Sequence, residues 1–238
     1  MMAHGRSTGY MERGLYIAAS GMLTEMVRQD QIANDLANAS TPGYKSDRAT
    51  QRSFGDILLA NSVTGQTVGP LGLGSQIDRI VTDTSPAPAR ETGEPLDFAV
   101  VGEGWFGVQT AQGTRYTRNG QFALSPQGTL IDGMGNPVMG TGGGPVSVGP
   151  NGRVDPRQVG IFNVTGARKV GDNYVTGAAG GAATGTVRQG ALEGSNADPA
   201  RSMVDMIASF RAFESGQRVI RTIDETLAKA SNVVGGMP

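Results

Sequence analysis

LYIAASGMLTEMVRQDQIANDL, residues 15–36, carries Leu15, Ala18, Met22, Met26, Gln29, Ile32 and Leu36 at alternating spacings of three and four. MVDMIASFRAFESGQRVIRTIDETL, residues 203–227, repeats the pattern with Met203, Met206, Phe210, Phe213, Gln217, Ile220 and Leu227, interrupted by the charge of Asp224. A seam with that period faces a partner helix, not a small ligand. Helices of this length draw most of their stability from packing, so the two ends need each other or neighbouring copies. The chain is therefore expected to be α+β. Its N- and C-terminal helices pack together as a coiled-coil-like stem around a β-rich central domain.

Between the seams the sequence changes character. QIDRIVTDT alternates apolar and polar residues from Gln76, LDFAVV and WFGVQT are apolar runs, and RYTRNGQFALSPQGTLID reads as strand, turn, strand. Asn119-Gly120 is a hairpin signal, since both residues accept positive φ. TGAAGGAATGT (176–186) offers nothing to bury and reads as an exposed loop. The chain holds 37 Gly, about twice the number that an average usage of roughly 7% gives, consistent with many turns and short strands.

The boundaries follow from these shifts. Residues 1–10 form a leader or tag-like segment, with Met11 an equally good start. Residues 11–43 and 195–232 make the helical stem, and Gly14 and Gly21 are candidate points of close approach. Pro42 and Gly43 end the first helix and, with Tyr44, form the linker or turn. Asp198 and Pro199 cap and open the last helix. Residues 44–75 connect, with a short helical turn at Phe54, Ile57 and Leu58 and a loop at 61–75. Residues 76–194 form the β-rich outer domain.

Composition narrows the chemistry. There is no cysteine, and the one histidine is His4 in the leader, so thiolate chemistry, cysteine zinc sites and a Ser-His-Asp triad are set aside. A net charge of −1 gives no field for nucleic acid. No apolar run reaches the roughly 20 residues needed to span a bilayer, and no cleaved-signal pattern opens the chain. GEGWFG (102–107) fits a dinucleotide fingerprint by letter, but the adjoining GVQTAQGTRYT reads as strand and turn with no helix start. It is therefore a turn carrying core residues Trp105 and Phe106. Glu94 with Asp97 and Asp97 with Glu103 are carboxylate pairs of the kind a glycosidase needs, but among 21 acidic residues such proximity is expected by chance. Arg115, Arg118 and Arg153 read as a solvated sheet face. No cofactor or metal is expected.

Three segments resemble the bacterial flagellar rod and hook proteins. LYIAASGM (15–22) with QIANDLANASTPGYK (31–45) is similar to the family's N-terminal signature. EPLDFAVVGEGWFGVQT (94–110) with YTRNGQFALSPQGTLIDGMGNPVMG (116–140) resembles its central segment, and GALEGSNADPARSMVDMIASFRAFESGQRVIRTIDETL (190–227) its C-terminal one. Within the family the chain is similar to the basal-body rod proteins of the F and G types, with VMGTGGGPVSV and LEGSNADP favouring the proximal-rod F type. Gly216 departs from the pattern by standing where a stronger helix former is usual.

The resemblance implies a non-enzymatic structural subunit of the periplasmic rod, exported by the flagellar type III apparatus without a cleaved signal and transmitting torque from motor to hook. It implies terminal helices forming an inner tube and a β-rich domain facing outward. Its partners would be itself and other rod and hook subunits. The expected interface is Leu15, Met22, Met26, Ile32, Leu36, Met203, Met206, Phe210, Phe213, Ile220 and Leu227. The alternative is a secreted β-domain protein that binds glycans or acts on peptidoglycan.

Overall fold

The computed structural model describes residues 4–53, 56–60, 67–72, 74–149, 152–171 and 173–235, with side chains placed from 13 to 53, from 74 onward within those ranges, and up to 229. In chain order the elements are α1 (His4–Ala37), β1 (Asp47–Ser53), β2 (Asp56–Ala60), β3 (Thr67–Gly72), β4 (Ser75–Thr82), β5 (Ala89–Glu91), β6 (Phe98–Val101) and β7 (Trp105–Thr110). There follow β8 (Gly113–Thr117), β9 (Ala123–Leu124), β10 (Leu130–Ile131), a 3-10 turn at Pro156–Gln158, β11 (Ile161–Lys169), β12 (Tyr174–Ala182), β13 (Thr186–Gln189), β14 (Ala191–Glu193) and α2 (Pro199–Gly235). The architecture is α+β, as expected, with one long helix at each end.

The chain forms two compact units. One comprises Met1–Asn34, Arg48–Val81 and Ala200–Pro238; the other comprises Asp35–Asp47 and Thr82–Pro199. The backbone thus passes between them four times, at 34/35, 47/48, 81/82 and 199/200.

The first unit is mainly the two helices. α1 starts at His4, ahead of the expected residue 11, so residues 4–10 continue it. α2 begins at Pro199, where the missing N–H of proline costs no helical hydrogen bond. The stretch 44–75, expected to be mostly loop with a helical turn, is largely strand. β1 pairs with β4, and β2 pairs antiparallel with β3 in the register Ile57↔Leu71 and Leu58↔Pro70. Ile57 and Leu58 are therefore extended, and Phe54 lies outside the described residues.

The second unit holds two apolar clusters divided by β7. Side chains on a strand point alternately to opposite faces. Phe106 faces Phe98, Val100, Phe122, Leu130 and Val138, while Trp105 faces Tyr116 and Val175. Phe98, Phe106 and Val108 are fully buried, which explains why LDFAVV and WFGVQT read as apolar runs. β11, β12, β8 and β7 close into a small barrel.

Two turn assignments differ from expectation. The run 176–186 is mostly strand, because β12 pairs with β11 as far as Ala182 and β13 starts at Thr186; only residues 183–185 form a link, and residues 177–182 are exposed. Asn119-Gly120 is no two-residue hairpin, since neither residue has positive φ. Glycine stands at 120 because a Cβ there would overlap the Phe98 carbonyl, whose own amide donates to the Gly120 oxygen at 3.0 Å.

Candidate functional site

Within the helical unit α1 and α2 run antiparallel. Gly14 approaches Ile223, Ala18 and Met22 approach Gly216, and Ser209 donates to a Glu25 carboxylate oxygen at 2.6 Å. Arg28 and Asp205 come within 3.8 Å near the other end of the pair, both well exposed. Ser209 is fully buried, and its hydroxyl also lies 3.3 Å from the Glu25 carbonyl. Another face of α1 holds the start of β4: Thr24, buried, donates to the Ser75 carbonyl at 3.2 Å. A Cβ at Gly21 meets nothing within 4 Å, so that glycine makes no close approach.

The expected interface residues divide into two sets. Met22, Ile32, Leu36, Met206, Phe213 and Ile220 are half-buried, while Leu15, Met26, Met203, Phe210 and Leu227 are exposed. Phe210 keeps 51% of its surface and Met203 53%. Beside them lie large apolar residues that the period-seven reading did not single out: Tyr16, Leu23 and Val27 on α1, and Val204, Ile207 and Val219 on α2, with Leu23 at 64% and Val204 at 66%. Each helix therefore buries one stripe and leaves a second apolar stripe uncovered.

The strand-rich unit contains a buried ion cluster drawn from three distant segments. Lys45 Nζ lies 2.6 Å from one oxygen of Glu193, and Arg118 donates to the other at 2.9 Å; all three side chains are 3% exposed or less. Lys45 also donates to the Ser85 carbonyl at 2.7 Å, and Arg118 to the Gly102 carbonyl at 3.0 Å. The Ala87 amide adds a bond to Glu193 at 3.0 Å, and the Arg118 guanidinium sits 5.3 Å from the centre of the Trp105 ring. Burial pulls the Lys45 ammonium below the usual lysine range, and the Glu193 carboxylate opposes that shift. Such a cluster fixes geometry more than it adds stability.

The expected linker is built into the same unit. Gly43 has φ +67, and its amide donates to the Glu193 carbonyl at 2.8 Å. Tyr44 is buried and donates to Asp35 at 2.8 Å, with Lys169 4.0 Å over its ring. Asn173 holds the Pro42 carbonyl at 2.9 Å, and Ser46 donates to Asn196 at 2.6 Å. Pro42, Gly43 and Tyr44 thus form a turn clasped by residues from the middle and end of the chain.

Sequence reasoning missed Lys45, Arg118 and Glu193. Arg118, read as part of a solvated sheet face, is buried. The only available signal was position, since each lies in one of the three segments that carry the family resemblance. Of the candidate carboxylates, Asp97 is buried and its main chain bonds to Glu94 and Gly190, while Glu103 is exposed. No helix among the described residues is long and apolar enough to cross a membrane.

Comparison with known proteins matches the same three segments. Residues 15–45 fit the family described as flagella basal body rod protein, residues 99–166 the flagellar hook protein FlgE/F/G D1 domain, and residues 188–233 the flagellar basal body rod FlgEFG protein C-terminal family. Among full-length relatives, the flagellar basal-body rod protein FlgG of Bacillus subtilis is 34% identical, over 94% of this chain and 99% of its own length. FlgG of Agrobacterium fabrum is 32% identical over 90% and 96%. FlgF of Caulobacter vibrioides is 30% identical over 94% and 97%.

Proposed function

Because this chain belongs to the flagellar basal-body rod family, F/G type, and is a structural subunit of the flagellar basal body, we propose that it polymerises through the uncovered stripes of its terminal helices. The family's partners are other flagellar subunits; the finer reading adds copies of this chain and delivery by the type III export apparatus without a cleaved signal. Torque would pass from motor to hook through the resulting column. VMGTGGGPVSV and LEGSNADP support the proximal F type within the group.

The observation that carries this reading is the second apolar stripe. Met26, Met203, Val204 and Phe210 lie on helices already paired with each other, yet remain 48% exposed or more. Burying a large apolar side chain contributes about 1.5–3 kcal/mol, so several such residues supply enough to hold a neighbour. A rod is an open helical array, which needs contacts that do not close on themselves, and two different stripes on two helices meet that need. The assembly stem in this reading is the helical part of residues 11–43 and 195–232, and residues 76–194 supply the outer domain. A glycan-binding or peptidoglycan-acting role is not favoured, because the matching families and relatives are rod proteins.

The test is a charge placed in a stripe. Phe210→Asp leaves the helix pair intact, because Phe210 is exposed, but removes the chain from isolated basal bodies and abolishes swimming. Leu36→Asp, at a half-buried site, reduces incorporation as well. Normal motility with Phe210→Asp in the assembled structure sinks the proposal.

A further inference from the structure

The buried ion cluster is asymmetric. Two cations, Lys45 and Arg118, share one carboxylate, and each Glu193 oxygen serves one of them. Without Lys45, Arg118 and Glu193 remain a matched pair; without Arg118, Lys45 and Glu193 do. Without Glu193, two buried positive charges are left with the Ser85 and Gly102 carbonyls and the face of Trp105. Asp83 also attracts Lys45, more weakly than Glu193 does. Removing one member of a buried charge set is severe when it strands its partner, and here only the loss of Glu193 strands two.

Chain order gives this asymmetry a consequence. Glu193 lies 148 positions after Lys45 and 75 after Arg118. It ends β14, the last strand, whose carbonyl at Glu193 also ties down Gly43. Both cations are therefore present long before their shared counter-ion in any chain that emerges N-terminus first. We propose that Glu193 is a closing latch: the strand-rich unit stays open until β14 delivers its carboxylate to Lys45 and Arg118. Closure then waits for nearly the whole chain ahead of α2, which keeps the incomplete protein extended. The inference rests on the cluster alone and holds whatever the assembly stripes do.

Trp105 is the sole tryptophan and is 5% exposed beneath Arg118, so its emission reports closure of this unit. The experiment compares full-length wild type with Glu193→Gln, Lys45→Met, Arg118→Met and the triple variant Lys45→Met, Arg118→Met, Glu193→Leu, by fluorescence and urea titration. Glutamine keeps the shape of Glu193 and removes only its charge. The expected result is a red-shifted, water-like emission for Glu193→Gln, with the folded-to-unfolded ratio down roughly hundredfold or more. The single cation variants keep the buried emission with modestly lower midpoints, and the triple variant regains closure. The latch is overturned if Glu193→Gln is no worse than either cation variant, or if the triple variant is as open as Glu193→Gln. Loosening confined to the β5–β14 pair, with Trp105 still buried, overturns it too.

Discussion

Asp35 and Tyr44 are nine positions apart and meet in a buried hydrogen bond of 2.8 Å. Burial, chiefly, raises the Asp35 carboxyl above its ordinary value of 3.8, with the Asp47 charge adding to it; the bonds from Tyr44 and the Asp47 amide, and the Lys169 charge, pull the other way. Burial and the Asp35 bond likewise push the Tyr44 phenol upward, so it remains the donor. A carboxyl raised by folding contributes stability that is complete below 3.8 and is lost as pH rises through the folded value. Asp35→Asn lacks that loss, so its urea midpoint should gain on wild type as pH rises above 3.8. A gap that stays constant with pH means Asp35 is not the titrating group. Tyr44→Phe removes the donor from a buried acceptor and should cost about 1–3 kcal/mol in the same titration. Gly43→Ala meets both a positive φ and the backbone of Arg118, so a loss at the upper end of about 1–3 kcal/mol is expected for the strain alone.

At the scale of elements, Gly216 is a point of close approach between the helices. A Cβ there would lie 2.7 Å from Met22 Cγ, so the residue that weakens α2 by about 1 kcal/mol relative to alanine also admits α1. Gly216→Leu should lower the thermal midpoint of the helical signal while leaving Trp105 emission unchanged; an unmoved helical transition shows that the close approach carries no weight. The helices were legible because apolar period survives in a sequence whatever the tertiary partner. Which face of each helix would be covered was not, since Met22 and Phe210 satisfy the same period yet only one is covered. The strands of the core were legible from LDFAVV and WFGVQT. β12 was not, because its Gly and Ala side chains bury nothing and its order comes from the ladder with β11. The ion cluster was invisible for a further reason: Lys45, Arg118 and Glu193 look like any scattered surface charges until the fold brings them together.

For the whole molecule, the turn at 41–47 belongs with strands that lie far along the chain, through Lys45–Glu193, Gly43–Glu193 and Ser46–Asn196. A protease cut within residues 56–72 should therefore leave two fragments that travel together in gel filtration and separate only in denaturant. Fragments that part in plain buffer would show that these bonds do not hold the turn. Residues 76–194, the β-rich domain that sequence patterning suggests, contain β14 but leave out this turn, and so omit Lys45, the partner of Glu193.

The four passages of the backbone between the two units have a mechanical corollary. A single tether lets one body swivel about the other, because one backbone offers little resistance to torsion. Four covalent routes share a twist among them, so no one peptide link takes the full strain and a break in one leaves three. In a rod subunit, redundancy of this kind means that one broken link does not part the two units. A chain cut at any one crossing should keep both units on one particle, because the other three crossings still join them.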